Sequence, residues 1–406
     1  MRNKDTVSFQ TLWLSALAGT VCLSSPVSAQ DQEKEQPNFL FILVDDLGYK
    51  DLGCYGSSFY ETPHVDELAE DGVKFTDAYA AAPVSSPTRS SIMTGMYPAR
   101  TDNTDWFGAP QPENAKGHWV GNHPMLPAPY VEHMDLEEVT LAEALKEGGY
   151  STFFAGKWHL GHTEKYWPLE QGFDINKGGW SKGRPHRQNG ANGYFSPYGI
   201  PTLEDGPVGE HLPDRLAEET IEFIDQQGNQ PFLAYLSFYE VHTPLMTTGE
   251  MEQKYQEKKE KLALEDRWGK EGDRRVRLVQ SHPVYAGMVE DMDRAVGRVM
   301  DKLESAGLED NTIIFFMSDN GGLSTAGGYP TSNRPLRAGK GWLYEGGIRE
   351  PLIIKWNKKI KAGTISKSLV SSVDFFPTFM EIAGIEDKIQ NIDGKSLLPV
   401  FKDPDI

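Results

Sequence analysis

Short apolar runs recur along this chain and alternate with stretches whose apolar residues fall three and four positions apart. Phe39 to Val44, Ser151 to Phe154, Phe232 to Phe238, Thr312 to Met317 and Pro351 to Trp356 are continuous and rich in Phe, Ile, Leu and Val. Runs of this kind read as strands buried on both faces. Helical spacing covers Pro63 to Asp71, Thr140 to Lys146, Pro213 to Gln227, Val284 to Ala306 and Asp374 to Ala383. The alternation predicts an α/β fold: one large, mostly parallel or mixed sheet sandwiched by helices. Thr101 to Met134 and Asn176 to Gly206 follow neither period and read as surface loops. The mixed charge from Glu250 to Arg277, around Lys258, Lys259, Arg274 and Arg275, reads as a solvated helix or insertion. There is no internal repeat.

The first residues follow another pattern. Arg2 and Lys4 precede an apolar stretch from Leu12 to Leu23, and Val27, Ser28 and Ala29 form a small-residue cleavage site. This is the layout of a secretory signal peptide over residues 1–29, with the apolar stretch well short of the roughly 20 residues that span a bilayer. Lipid attachment at Cys22 is the competing reading, and Val21 fits it poorly. An exported protein, periplasmic or secreted, is expected, with no transmembrane segment. After cleavage Cys54 is the sole cysteine, so stability must come from packing and not from an internal disulfide. The 406 residues, 38% apolar, suffice for one large α/β domain over residues 30–385. A net charge of −19 argues against nucleic acid as a partner. It also means that an anionic substrate would need a local cationic pocket.

Polar clusters follow four of the strands: Asp45-Asp46, Lys157-Trp158-His159, Glu240-Val241-His242 and Asp319-Asn320-Gly321-Gly322. Ligands of open α/β sheets bind at the carboxyl ends of strands, so these clusters are expected on one edge. Asp45 and Asp46 would repel each other without a compensating cation or hydrogen bonds. With Asp319 and Asn320 they form an oxygen set suited to a hard ion such as Ca²⁺ or Mg²⁺. Read alone, each pair could equally cap a helix or a turn.

The segment from Ser85 to Gly95, with Pro87, Arg89 and Thr94, resembles throughout the signature of the type I sulfatases of the alkaline phosphatase superfamily. In that signature a Cys or Ser is followed by x-Pro-x-Arg, an apolar pair, Thr and Gly. Gly149 to His159 is similar to the family's second signature, Gly-Tyr-x-Thr followed by Gly-Lys-Trp-His. Pro335 to Lys340 and Glu345 to Arg349 agree as well, and the resemblance covers nearly the whole chain after the signal.

The resemblance implies an alkaline-phosphatase-like fold and hydrolysis of sulfate esters, on O-sulfated carbohydrates of polysaccharide or glycosaminoglycan type. It implies that Ser85 is oxidised to formylglycine (3-oxoalanine) by a serine-type radical maturase before export. It further implies one Ca²⁺ held by Asp45, Asp46, Asp319, Asn320 and the modified residue 85. Arg89 would hold the hydrated aldehyde, and Lys157 and Lys340 the sulfate oxygens. His242, helped by Lys340, would protonate the leaving alcohol, and His159 would accept the proton whose loss expels sulfate. Arg184, His186 and Arg187 are candidates for reading the rest of an anionic substrate, or simply a solvated basic loop.

This sequence departs from the family's commoner pattern in having Ser85 where cysteine is usual. Relatives also continue into a smaller C-terminal domain, whereas residues 386–406 carry only the start of such a region. Two other functions stay open at this point, a phosphoester hydrolase of the same superfamily and an unmodified protein that binds sulfated glycans.

Overall fold

In the computed structural model, residues 36–118, 120–386 and 391–404 are described, and Gln36 onward forms one compact unit. The expected signal peptide, with Cys22 and Ala29, lies outside the described residues. Each predicted strand is present: β1 Asn38–Val44, β3 Ser151–Gly156, β5 Phe232–Ser237, β8 Thr312–Ser318 and β9 Arg349–Trp356. Further strands are β2 Val73–Tyr79, β4 Ile175–Lys177, β10 Thr364–Ser366 and β11 Val370–Ser371, while β6 Trp268–Glu271 and β7 Arg274–Arg277 form a separate antiparallel hairpin. The nine-stranded sheet runs β10-β2-β9-β8-β1-β5-β3-β4, with β11 also on β2. Only β9 runs against its neighbours β8 and β2. The carboxyl ends of β1, β3, β5 and β8 therefore share an edge, and β9 begins at that same edge.

The alternation of β1 explains why its run is wholly apolar. Leu40, Ile42 and Val44 enter one core with Leu236, Phe316 and Ile353, whereas Phe39, Phe41 and Leu43 enter the other with Tyr235, Phe315 and Ile354. The first core is closed by helices α1 Pro63–Asp71, α5 Leu212–Gln226 and α7 Pro283–Ser305. The second is closed by α2 Ser85–Thr94, α4 Leu141–Glu147 and α9 Phe375–Ala383. A strand covered on both sides has no polar face to show, which is why period two is absent from it.

The two supposed surface loops are more buried than their composition suggests. Thr101 to Met134 sinks Phe107, Ala109, Ala115, Tyr130 and Met134, and the second stretch contributes β4 with Tyr194 and Tyr198 fully buried. The charged segment becomes helix α6 Gly249–Lys261 followed by the β6–β7 hairpin, in keeping with a solvated insertion. Helices α3 Pro98–Thr101, α8 Glu345–Ile348 and α10 Leu398–Lys402 are short. After α9 the chain returns to α2, where Asp393 N donates to Gly95 O and Asp393 pairs with Arg100. No helix among the described residues is long and apolar enough to cross a membrane.

Candidate active site

The residues expected to carry the catalysis and hold the metal converge at the shared strand edge. Asp45 and Asp46 leave β1, Lys157 and His159 leave β3, His242 follows β5, and Asp319 with Asn320 leaves β8. Lys340 arrives on the loop that precedes β9, and Ser85 opens α2, which follows β2 to the same edge. All ten residues of α2 are buried, and Gly95 ends it in the left-handed region, φ 68°, donating its N–H to Ser91 O at 2.9 Å. The glycine of the first signature is thus a helix stop that few other residues could supply. Ser85 takes the opposite end, where unpaired backbone N–H groups favour negative charge.

Ser85 Oγ stands 3.3 Å from both Asp45 Oδ1 and Asn320 Oδ1 and accepts from Lys157 Nζ at 2.9 Å. Lys157 also pairs with Asp45 Oδ2 at 2.7 Å. Arg89, one turn along α2, binds Asp319 Oδ2 through Nε at 2.9 Å and Nη2 at 2.8 Å, and its Nη1 donates to Lys157 O and Ser237 Oγ. Lys340 Nζ reaches Asp46 Oδ1 at 2.6 Å, and Asn320 Nδ2 donates to the same oxygen at 2.8 Å. Three buried carboxylates thus face three cationic side chains.

Burial, joined by Asp319 and Asp46 and opposed by Lys157, raises the Asp45 carboxyl far above its ordinary range. Burial acts on Asp46 in the same direction, yet Lys340 and His242 outweigh it and bring that carboxyl below its usual value. Asp46 Oδ2 is buried without a hydrogen-bond partner, and His242 Nε2 lies 3.6 Å from it. Asp45, Asp46 and His242 present ligand atoms close enough to share one ion. An orphaned carboxylate oxygen among crowded acids, with Asp319 and Asn320 adjoining, fits a hard divalent cation. Such an ion would leave the six charged side chains and itself with a surplus of positive charge, which is the local cationic pocket that an anionic substrate requires in an acidic chain.

The two histidines are held in defined tautomers. His159 Nε2 lies 3.1 Å from the Phe107 carbonyl, which can only accept, so Nε2 carries the proton and Nδ1, 3.3 Å from Ser86 Oγ, is the acceptor. Burial first, then Lys157 and Arg89, press the His159 pKa well below its ordinary value and keep the ring neutral. His242 Nδ1 lies 2.9 Å from the Thr243 carbonyl, which leaves Nε2 as the nitrogen facing the site. Burial and Lys340, opposed by Asp46, lower its pKa to about 3.

Several supports were not anticipated from the sequence. Ser86 bridges His159 Nδ1 and the Phe107 N–H. Asn333 Nδ2 reaches the carbonyls of Gly322, Ala338 and Gly346, tying the β8 end to the Lys340 loop. Ser86 lay inside a quoted motif, but the Phe107 carbonyl is a backbone atom in an aperiodic stretch and left no trace. Of the basic loop, the neighbouring backbone closes on the site: the His159 N–H donates to Trp180 O, and a Cβ on Gly183 would lie 2.5 Å from His159 Cε1. Among the described residues, no hydrogen bond or ion pair joins Arg184, His186 or Arg187 to the acidic cluster.

A family model described as Sulfatase matches residues 37–385. The chain belongs to the sulfatase family. Among curated relatives it is 33% identical to the N-acetylgalactosamine-6-sulfatase of Canis lupus familiaris over 90% of this chain, and spans 66% of that relative's length. It is 31% identical to a sulfatase of Formosa agariphila, over 94% of this chain and 76% of the relative. The solved structure of Ps i-CgsB in complex with k-i-k-neocarrahexaose aligns with a TM-score of 0.71 and 31% identity, over 91% of this chain and 77% of that one. That structure shares the large, mostly parallel sheet with helices on both faces.

Proposed function

We propose that this sulfatase-family chain hydrolyses sulfate esters of carbohydrates, using residue 85 as formylglycine and one Ca²⁺ at Asp45, Asp46, Asp319 and Asn320. The observation that carries the reading is the position of Ser85: first residue of α2, inside the family signature, and within 3.3 Å of Asp45, Asn320 and Lys157 side-chain atoms. A hydrated aldehyde and a divalent cation together supply a nucleophilic hydroxyl and polarisation of the sulfate group. The names of relatives, which include an N-acetylgalactosamine-6-sulfatase and a structure in complex with k-i-k-neocarrahexaose, support a sugar substrate.

The chain's own residues then act as follows. Lys157 and Lys340 neutralise sulfate oxygens, in a buried setting where each charge counts for more than in water. Arg89 keeps Asp319 ionised and in place and, through Lys157 O, fixes the end of β3. Asp46, Asp45 and Asp319 hold the Lys340 ammonium protonated against burial, so it is the proton-bearing group beside His242 Nε2 when the alcohol departs. Neutral His159 offers Nδ1 as a proton acceptor one residue from position 85, with Ser86 fixing its direction. Maturation by a serine-type radical enzyme before export belongs to the same proposal.

Peptide mass spectrometry around Ser85, with and without co-expressed maturase, tests it together with a sulfate-release assay on matched sulfate and phosphate esters. Loss of two hydrogens accompanied by sulfate release is expected. A converted protein that prefers phosphate, or one that releases sulfate while Ser85 stays intact, would overturn it.

A further inference from the structure

We infer that the loop carrying Lys340 continues into a second subsite, where Trp342 receives the sugar ring next to the sulfated one; this rests on the carbohydrate sulfatase reading above. Two residues of chain span at most about 7 Å, so the loop that delivers Lys340 to Asp46 places the Trp342 backbone within that reach of the Lys340 backbone. The loop is not free to swing: Gly341 N donates to Pro83 O at 2.8 Å, Trp342 N to Gly339 O at 3.1 Å, and a Cβ on Gly347 would lie 1.9 Å from Trp342 O.

The ring itself is braced for contact. Trp342 is only partly buried and stacks on Tyr344, with centroids 6.2 Å apart and planes 18° off parallel. The Arg337 guanidinium lies 3.6 Å from the centre of the Tyr344 ring and is gripped by both oxygens of Glu271, at 2.6 and 3.0 Å. That fork ties the β6–β7 hairpin to the loop, and a Cβ on Gly272, at the hairpin turn, would approach the Trp342 ring at 3.7 Å. Leu343, 77% exposed, and Tyr344, 40% exposed, extend the uncovered surface. Solvent-facing aromatics held rigid beside a charged site present an apolar face at little entropic cost, which suits the C–H face of a pyranose.

Charge supports the same ligand. On the hairpin, the Arg275 guanidinium lies 3.4 Å over the Trp268 ring and no carboxylate among the described residues pairs with it. A preset cation with no carboxylate partner among the described residues, in a chain of net charge −19, suits further sulfate groups along a glycan. The inferred ligand class is therefore a sulfated oligosaccharide of at least two rings, not an isolated sulfated monosaccharide.

The test uses unconverted protein, whose Ser85 cannot turn substrate over, and calorimetric titration with sulfated di- and hexasaccharides of galactan, galactosaminoglycan and fucan type. The wild type should bind its best hexasaccharide more tightly than the matching disaccharide. Trp342→Ala should weaken the hexasaccharide by about tenfold while leaving the thermal midpoint unchanged, and Trp342→Phe should restore most of it. Arg275→Ala should weaken it a few-fold and reduce its salt dependence. Equal affinity of wild type and Trp342→Ala for every hexasaccharide, or no gain from disaccharide to hexasaccharide, would overturn the subsite. Failure of the sulfatase reading would show separately, as converted protein that releases no sulfate.

Discussion

Lys157 Nζ donates to Ser85 Oγ at 2.9 Å, joining the end of β3 to the first turn of α2 across 72 residues of sequence. The same ammonium is paired with Asp45 at 2.7 Å and is 1% exposed. One side chain thus holds Ser85, the residue proposed for modification, and compensates Asp45, a carboxylate of the proposed cation site.

Lys157→Met should act on both. Removing one partner of a buried pair strands the other charge, at a cost of about 3–5 kcal/mol, measurable by urea unfolding in chelator. Calcium at a hundredfold excess over its dissociation constant should return about 2.7 kcal/mol. In converted protein, sulfate release should fall by about 10²–10³-fold even with calcium saturating. An unchanged unfolding midpoint would refute the pairing argument.

His159 makes a pH prediction whose sign follows from its depressed pKa. The folded ring resists protonation, so the unfolded chain binds the extra proton, and the stabilisation present above the unfolded imidazole value of about 6.5 is lost as pH falls toward the folded pKa. His159→Gln should flatten the stability profile below pH 6.5 by one proton, about 1.4 kcal/mol per pH unit. Urea unfolding at fixed calcium over pH 5 to 8 measures this. A wild-type slope unaltered by the substitution would show that His159 is protonated in the fold.

Gly156→Ala should prevent the second signature from forming its turn. Gly156 has φ 102°, and a Cβ there would sit 1.8 Å from Ser237 O, the carbonyl that accepts from Lys157 N. Neither backbone can withdraw without breaking the β3–β5 register that aims Lys157. The variant should accumulate as insoluble or protease-sensitive chain, judged against wild type by soluble yield and limited proteolysis. Soluble protein of wild-type stability would mean that the strand end yields more than this geometry allows.

What was legible came from signals local in sequence. Five strands showed themselves because strands covered on both faces need uninterrupted apolar residues, and the clusters after them were expected on one edge because parallel strands end together. Strand β2 was not anticipated: Val73, Phe75 and Ala78 are its buried positions, and the register shift between Phe75 and Ala78 breaks the alternation that would have revealed it. The short strands β4, β10 and β11 form on edges already in place and have no period of their own.

The sequence by itself determined the fold class and the family, and singled out Ser85, Arg89, the acids, the lysines and the histidines proposed for the site. These follow from residue types at fixed spacing, where side-chain chemistry and backbone demands such as the helix stop at Gly95 act over a few positions. Only the tertiary structure decided which atoms meet: that Lys157 bridges Ser85 and Asp45, that Asp46 Oδ2 is left unpaired, and that the Phe107 carbonyl and Ser86 set the His159 tautomer. Those relationships join strands, a helix start and an aperiodic loop far apart in the chain. They arise from burial of the two faces of one sheet, which brings the strand ends together and removes the water that would otherwise separate their charges.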